Sequence, residues 1–441
     1  MGAAGVVTGS SFLLTGTDDT TLLVDFGMFQ GPKKVADFNY LPLKFKPARV
    51  HGVVVTHAHL DHCGRLPLLV RAGFDGKIFM TAPTFALTEI VLNDAARVAQ
   101  DKEDVPPLYS YDEIEKILDM IEVVDYNQPF TIGGFSLLLK DAGHILGSSS
   151  IQVKDTKANK TMIFSGDLGN TPEDIVKPTE YFSTGDYVVM EATYGDKVRP
   201  VDDPTQILKE EINAVEGEGG VLLIPAFSIE RTQEILHRIH HLKKDGLIRP
   251  DTPIFLDGPM GIKTTRVFKE FKKFYNEELQ THINDPFTFE GLVITEEARD
   301  SKEIVKAMEP KVIIAGSGML SGGRILHHAS FYLPRSTTRL LFVGYQAEET
   351  LGRKILEGAT KIWIDDKPVK VRAKIREVKS FSAHADQKKL LTWLEHIKGV
   401  KKVFLVHSDI EKRQIFADKI KNTLKITDVI SPKDGDEVIL S

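Results

Sequence analysis

The sequence predicts an α/β protein in which one α/β domain is inserted within another. Three features carry that reading. Short apolar runs rich in Val and Ile recur along the 441 residues, amphipathic stretches lie between them, and two polar stretches, Gly195–Asp203 and Trp363–Val371, divide the chain. Runs so short are buried strands rather than helices. Strands alternating with helices make sheets with helices outside them.

The runs are, in order, Val50–Val55, Met162–Phe164, Tyr187–Met190, Val221–Ile224, Lys311–Ile314, Leu340–Val343 and Val403–Val406, each bounded by Gly, Pro, Asp or Asn. Ile207–Val215, Thr232–Lys243 and Gln387–His396 have the apolar spacing of helices. The middle third carries its own alternation, so the expected domains are 1–196, 197–362 and 363–441, the first and last forming one outer domain. An insertion of roughly 160 residues is the size of an independent domain.

Composition is that of a globular protein, with 42% hydrophobic and 27% charged residues, which excludes a disordered chain. No apolar run approaches the ~18 residues of a membrane span. The opening MGAAGVVTGSS lacks the basic and long apolar regions of a signal peptide. The lone cysteine, Cys63, excludes an intrachain disulfide and is expected to pack inside the helix after the histidine loop. Together these favour the cytoplasm and no membrane partner. A net charge of −6 argues against a chain coated in nucleic acid but not against a local basic groove.

The strongest chemical signal is Thr56-His57-Ala58-His59-Leu60-Asp61-His62-Cys63-Gly64, which follows the strand at Val53–Val55. Four donors within six residues at a strand end converge where the backbone leaves the sheet in a tight loop. Imidazole and carboxylate together suit zinc or a similar borderline ion. His57 and His59 can share one ion, while Asp61 and His62 turn towards a second. Asp167 and His407 follow the expected strands Met162–Phe164 and Val403–Val406, and His144 lies in Asp141-Ala142-Gly143-His144-Ile145-Leu146-Gly147-Ser148. With the first cluster they complete two sets that could share a bridging carboxylate.

These segments resemble the successive motifs of the metallo-β-lactamase superfamily, and the resemblance covers essentially the whole chain. Asp25 in Val24-Asp25-Phe26-Gly27 resembles the supporting acid behind the metal loop. The family pattern implies two Zn2+ per chain: His57, His59 and His144 for one, Asp61, His62 and His407 for the other, with Asp167 bridging. Glu191 in Glu191-Ala192-Thr193-Tyr194-Gly195 precedes the insertion; His384 in Phe381-Ser382-Ala383-His384-Ala385-Asp386 and His407 follow it. That order is similar to the β-CASP nucleases, which include the endonuclease of pre-mRNA 3′-end cleavage and compact bacterial and archaeal ribonucleases. Pro225-Ala226-Phe227, Gly316-Ser317-Gly318-Met319-Leu320 and Gly344-Tyr345-Gln346 extend the likeness. It implies an αββα sandwich with an inserted α/β β-CASP domain. His407, where DNA-directed members carry Val, points to RNA.

The implied activity is hydrolysis of single-stranded RNA by endonuclease action, with 5′→3′ exonuclease action left open beside it. Asp61, Glu191 and His384 are the expected catalytic residues, with His384 as general acid oriented by Glu191. The Gly-rich segment 316–323 before a helical stretch suggests an anion site, with Ser317, Ser321 and Arg324 as phosphate contacts and Ser228 and Arg231 as further candidates. His237, His240 and His241 read as a solvated helix face. A DNA nuclease, another metallohydrolase and a non-catalytic RNA-binding scaffold are the alternatives, and a homo-oligomer is left open.

Two departures stand out. His407-Ser408-Asp409 replaces the family's His-Gly-Glu, removing a Gly that permits φ > 0. The chain begins at Met1-Gly2-Ala3-Ala4, where the family has a preceding strand, so weak protection from exchange is expected around Leu13 and Leu22–Val24.

Overall fold

The computed structural model describes residues 2–100, 106–172, 174–198, 202–281, 285–378, 380–381 and 383–440. The chain divides into two units, residues 1–198 with 384–441, and residues 199–383.

The first unit holds two sheets. One has five strands in the order Phe12–Thr15, Thr21–Val24, Gly52–Val54, Lys77–Met80 and Ile121–Val123. The other has seven, in the order Val429–Ile430, Lys402–Val406, Tyr187–Glu191, Lys160–Phe164, Ser149–Asp155, Phe135–Asp141 and Phe130–Ile132. Leu22, Val24 and Val54 from the first meet Leu137, Ile151, Val153, Phe164, Val189 and Val406 from the second in a buried core. Alternate residues of the same strands face away from it. Ile163, Val188, Met190 and Leu405 bury against Leu390, Trp393 and Leu394 of helix Gln387–His396 and Phe416 of helix Ile410–Leu424. This is the αββα sandwich. Val189 lies between the sheets, and Glu191, two residues on, leaves the strand end on the same side.

The second unit is built on a six-stranded sheet in the order Leu292–Thr295, Ile254–Asp257, Lys311–Ala315, Val221–Pro225, Thr338–Phe342 and Lys374–Glu377. Every pairing in it is parallel. Central strands such as Val221–Pro225 and Lys311–Ala315 are buried throughout, as a parallel sheet covered on both faces requires. The chain stays in this unit beyond the expected return at 363. Strand Lys374–Glu377 pairs with Thr338–Phe342, and Ile362, Ile364 and Val369 enter the same core as Val221 and Leu340. The return falls at His384 instead.

Two local expectations also change. Phe12–Thr15 is the edge of its sheet, but Thr21–Val24 is paired on both sides, so Leu22–Val24 belong to the protected interior. Helix Arg231–Lys244 buries His237, which meets His241 at 2.9 Å, so that helix does not present its histidines as a solvated face. Cys63 is fully buried, as expected, and burial pushes its thiol well above the usual range.

Candidate metal centre

The histidine loop is shaped by close backbone packing. Strand Gly52–Val54 gives way to Thr56 and His57, and one turn of helix, Leu60–Cys63, starts after His59. Phe26 N donates to His62 O at 2.8 Å and Met28 N to Leu60 O at 2.9 Å, holding this turn against the segment after Val24. A Cβ on Gly27 would stand 1.5 Å from Asp61 O, so only Gly allows that approach. Gly169 has the same role at the facing loop, where a Cβ would stand 1.6 Å from Gly143 O.

The structure brings every expected ligand together. His57, His59, His144 and Asp167 converge in one set, Asp61, His62 and His407 in a second, and Asp167, Glu191 and His384 in a third. In the first set His59 Nδ1 lies 3.0 Å from His57 Nε2 and 3.2 Å from His144 Nε2. In the second, His407 Nε2 lies 3.2 Å from Asp61 Oδ2. Asp167 divides its oxygens between them: Oδ2 is 3.5 Å from His57 Nε2 and 3.7 Å from His144 Nε2, while Oδ1 is 3.4 Å from His62 Nε2 and 3.8 Å from His407 Nε2.

Supporting hydrogen bonds fix which ring nitrogen faces the cluster. Thr56 Oγ1 donates to Asp25 Oδ2 at 2.8 Å, so the His57 Nδ1–H must donate to Thr56 Oγ1, 3.0 Å away. His62 Nδ1 donates to the same Asp25 oxygen at 2.8 Å. Thr193 Oγ1 donates to His407 O at 3.1 Å, leaving His407 Nδ1–H to donate to that hydroxyl, also at 3.1 Å. All three rings therefore turn Nε2 towards the cluster, the nitrogen a metal would take. Thr56 and Thr193 were not singled out in the sequence. Their signal is adjacency: Thr56 precedes His57, and Thr193 shares a strand-exit side with Glu191.

The electrostatics are those of a cation site. Burial lowers the pKa of His57 well below the usual range and that of His59 to about 4, keeping both neutral. Burial also disfavours charge on His62, but the carboxylates of Asp167 and Asp25 outweigh it and raise that pKa. Asp167 itself is held low, its desolvation overcome by the charges of His407, His62 and His384. Asp167 Oδ1 is buried with no hydrogen-bond partner among the described residues. Protons on the imidazoles here stand where a divalent ion would supply the charge. The donor set fits a metal.

Glu191 is fully buried and accepts from Leu168 N at 2.7 Å. Both its oxygens lie 3.3 Å from His384 Nδ1, which leaves His384 Nε2 directed towards the cluster, 3.9 Å from Asp167 Oδ2. Burial lowers the His384 pKa, but Glu191 and Asp167 reverse this and lift it to about 10. Residue 382 of this segment lies outside the described residues. The Gly lost at position 408 has a counterpart elsewhere: the positive φ, +57°, falls on His407 itself.

The five suggested phosphate contacts lie in the second unit. Gln346 Nε2 donates to Gly318 O at 2.9 Å and Ala226 N to Ala315 O at 3.0 Å, so the three motif segments there converge. Ser317 Oγ accepts from Ser321 N at 3.0 Å at the start of helix Arg324–Tyr332. Ser228 is half-buried. Arg231 is buried, pairs with Glu234 and lies 4.9 Å over the Phe381 ring. Arg324 is committed to the fold, because its guanidinium donates to Asp257 Oδ1 at 2.8 Å, Thr295 O at 2.7 Å and Glu296 O. His328 meets the other Asp257 oxygen at 2.7 Å.

Residues 4–225 match the metallo-beta-lactamase superfamily, residues 232–355 the Beta-Casp domain, and residues 368–432 the Zn-dependent metallo-hydrolase RNA specificity domain. The chain therefore belongs to the metallo-β-lactamase superfamily and, within it, to the β-CASP family of metal-dependent hydrolases. It is 37% identical to Ribonuclease TTHA0252 of Thermus thermophilus over 93% of both chains. It is 31% identical to RNase aCSPSF2 of Saccharolobus solfataricus over 98% of this chain and 83% of that one. Transcription termination factor FttA of Methanocaldococcus jannaschii is 29% identical over 95% of this chain and 68% of its own length. A crystal structure of a protein of unknown function from Enterococcus faecalis has a TM-score of 0.57 at 12% identity, covering 99% of this chain and 97% of that one, which is a likeness of fold.

Proposed function

We propose that this metal-dependent ribonuclease hydrolyses single-stranded RNA at a centre of two zinc ions, by endonucleolytic and 5′→3′ exonucleolytic cleavage. The observation that carries the reading is Asp167, whose two oxygens face two separate sets of imidazole and carboxylate donors. His57, His59 and His144 would hold one ion and Asp61, His62 and His407 the other. Two such ions, when bound, supply a water nucleophile at neutral pH and neutralise charge on both oxygens of an in-line displacement.

The chain's own residues do the rest. Asp61, beside His407 Nε2, lies where it can orient the attacking water. Glu191 holds His384 by Nδ1, so the proton for the departing ribose 3′-oxygen is carried on His384 Nε2. Ser317 and Ser321, with Ser228, remain the proposed phosphate contacts, and Arg324 supports them by anchoring its helix rather than by touching RNA. The family and the RNA-named relatives support RNA over a small ester.

The test uses matched 5′-labelled single-stranded RNA and DNA with the zinc-loaded protein. RNA is expected to be cut and DNA spared. Asp61→Ala/His62→Ala should abolish cleavage with loss of metal, and His384→Ala should abolish it with metal retained. Cleavage of DNA alone, or of RNA by all variants equally, would overturn the assignment.

A further inference from the structure

A two-stranded ribbon in the second unit carries an exposed indole next to two lysines that face each other across its strands. Strands Lys361–Ile364 and Lys367–Lys370 pair antiparallel, with Lys361 opposite Lys370 and Trp363 opposite Pro368. Asp365 and Asp366 turn the ribbon at φ +47° and +57°, the left-handed pair that a two-residue hairpin turn requires. Alternation then sorts the faces. Ile362, Ile364 and Val369 are buried in the unit's core, whereas Lys361, Trp363, Pro368 and Lys370 face outward.

Trp363 is 59% exposed, although the other tryptophan, Trp393, is fully buried. Lys361 Nζ lies over this ring, 5.0 Å from its centre, so a cation is held at the indole while more than half of the residue stays open to solvent. Like charges placed directly opposite on a sheet destabilise it, and Lys361 and Lys370 are such a pair. Among the described residues no carboxylate forms an ion pair with Lys361, Lys367 or Lys370. The basic side chains of the next strand are neutralised instead, Lys374 by Glu218 and Arg376 by Glu210 and Glu211. The chain as a whole carries −6, whereas in this ribbon three lysines outnumber the two aspartates of its turn.

We propose that this face is a stacking platform for single-stranded RNA, with one base on Trp363 and the adjoining phosphate held by Lys361 and Lys370, which face each other on one side of the indole. The inference rests on the ribonuclease reading. An aromatic face beside cations that track a backbone is the recognition chemistry of single strands, and it is indifferent to sequence because every base has a π-face. A protein partner is the weaker match. The apolar part of this face is the indole and Pro368 alone, with an ammonium group on each strand.

Trp363 makes the test direct, because stacking on a base quenches indole emission and the other indole is buried. Wild-type protein and Trp363→Phe are titrated with oligouridylate and oligoadenylate, with chelator present so that the RNA is not consumed. Saturable quenching in the wild type that is absent from Trp363→Phe is the expected result. Trp363→Ala should weaken binding by about 5- to 150-fold, and Lys361→Ala/Lys370→Ala should flatten the salt dependence by about 0.7 per lost phosphate contact. Unchanged emission, or unchanged affinity in Trp363→Ala, overturns the platform. So does a shift of Trp363 emission that follows protein concentration without RNA, which would mark a protein interface. Cleavage by the zinc-loaded enzyme without quenching removes only this platform. Quenching without cleavage keeps the platform and removes the ribonuclease reading.

Discussion

His407 shows how much one hydroxyl can settle. Its backbone sits at φ +57°, a conformation that favours Gly and costs an ordinary residue about 1 kcal/mol. Three contacts hold it there: His407 N donates to Ala3 O at 2.7 Å, Ala4 bridges Ser408, and Thr193 Oγ1 engages both the carbonyl and Nδ1. Thr193→Val keeps the shape but strands a buried carbonyl and a ring N–H, a loss of about 1–3 kcal/mol. The expected consequence is about 10- to 100-fold weaker binding of the ion proposed for Asp61, His62 and His407, read by competition with a chelating dye, with the other proposed ion retained. Equal loss of both ions, or of neither, would refute the assignment. Glu191→Gln tests the neighbouring support. It keeps a hydrogen bond to His384 but removes the charge, and turnover should fall about 10²- to 10⁴-fold with two ions still bound per chain by elemental analysis. Retained turnover would show that His384 needs no carboxylate behind it.

At the scale of elements, helix Gln387–His396 positions His384, the proposed proton donor. Asp386 caps it by accepting from Lys389 N at 3.0 Å, and Leu390, Trp393 and Leu394 bury its inner face. His384 lies two residues before that cap, and the residue between them is tied to the opposite loop by Ala385 N donating to Leu168 O at 2.7 Å. Asp386→Ala should cost about 1 kcal/mol of stability, seen in denaturant midpoints, and lower kcat more than KM because it loosens a group that acts only in the chemical step. A pure stability effect with unchanged kcat would remove the positioning role. This helix was legible in the sequence to the residue, because its apolar spacing is local. The seven apolar runs likewise marked strands that are buried on both faces. Phe135–Asp141 and Ser149–Asp155 escaped notice because antiparallel strands interleave Ser, Gln and Lys with the apolar residues. The return at 384 was misjudged for a related reason. The ribbon and Lys374–Glu377 are dense in Lys and Arg, so they read as a polar junction although Ile362, Ile364 and Val369 feed a core. In the centre, the His and Asp ligands announced themselves by chemistry, whereas Thr56 and Thr193 did not, since Thr is an ordinary strand residue. Arg324 was misread in the opposite direction: a cation after a Gly-rich loop invites a phosphate, but its partner is the buried Asp257.

For the whole molecule, the centre is also a fastening. Its ligands come from both sides of the insertion, with Asp61 before it and His407 after it meeting at 3.2 Å. Without an ion the site confines Asp167, Asp61, Asp25 and their imidazoles in a buried space, where carboxylate charge is offset only by protons. An ion that binds the folded centre and not the unfolded chain stabilises by RT ln(1 + [L]/Kd), about 4 kcal/mol at a thousandfold excess over Kd. Every ligand belongs to the unit made of residues 1–198 and 384–441, so the gain belongs to that unit. Calorimetry of the zinc-loaded and chelated protein should therefore show a transition that moves down by several degrees on chelation. Hydrogen exchange should assign that loss to Val53–Val55, Lys160–Phe164 and Lys402–Val406, while Val221–Pro225 and Lys311–Ala315 of the inserted sheet stay protected. A loss spread evenly over both units would mean that the inserted unit depends on the metal for its own stability, and the division of the chain into two energetic units would fail.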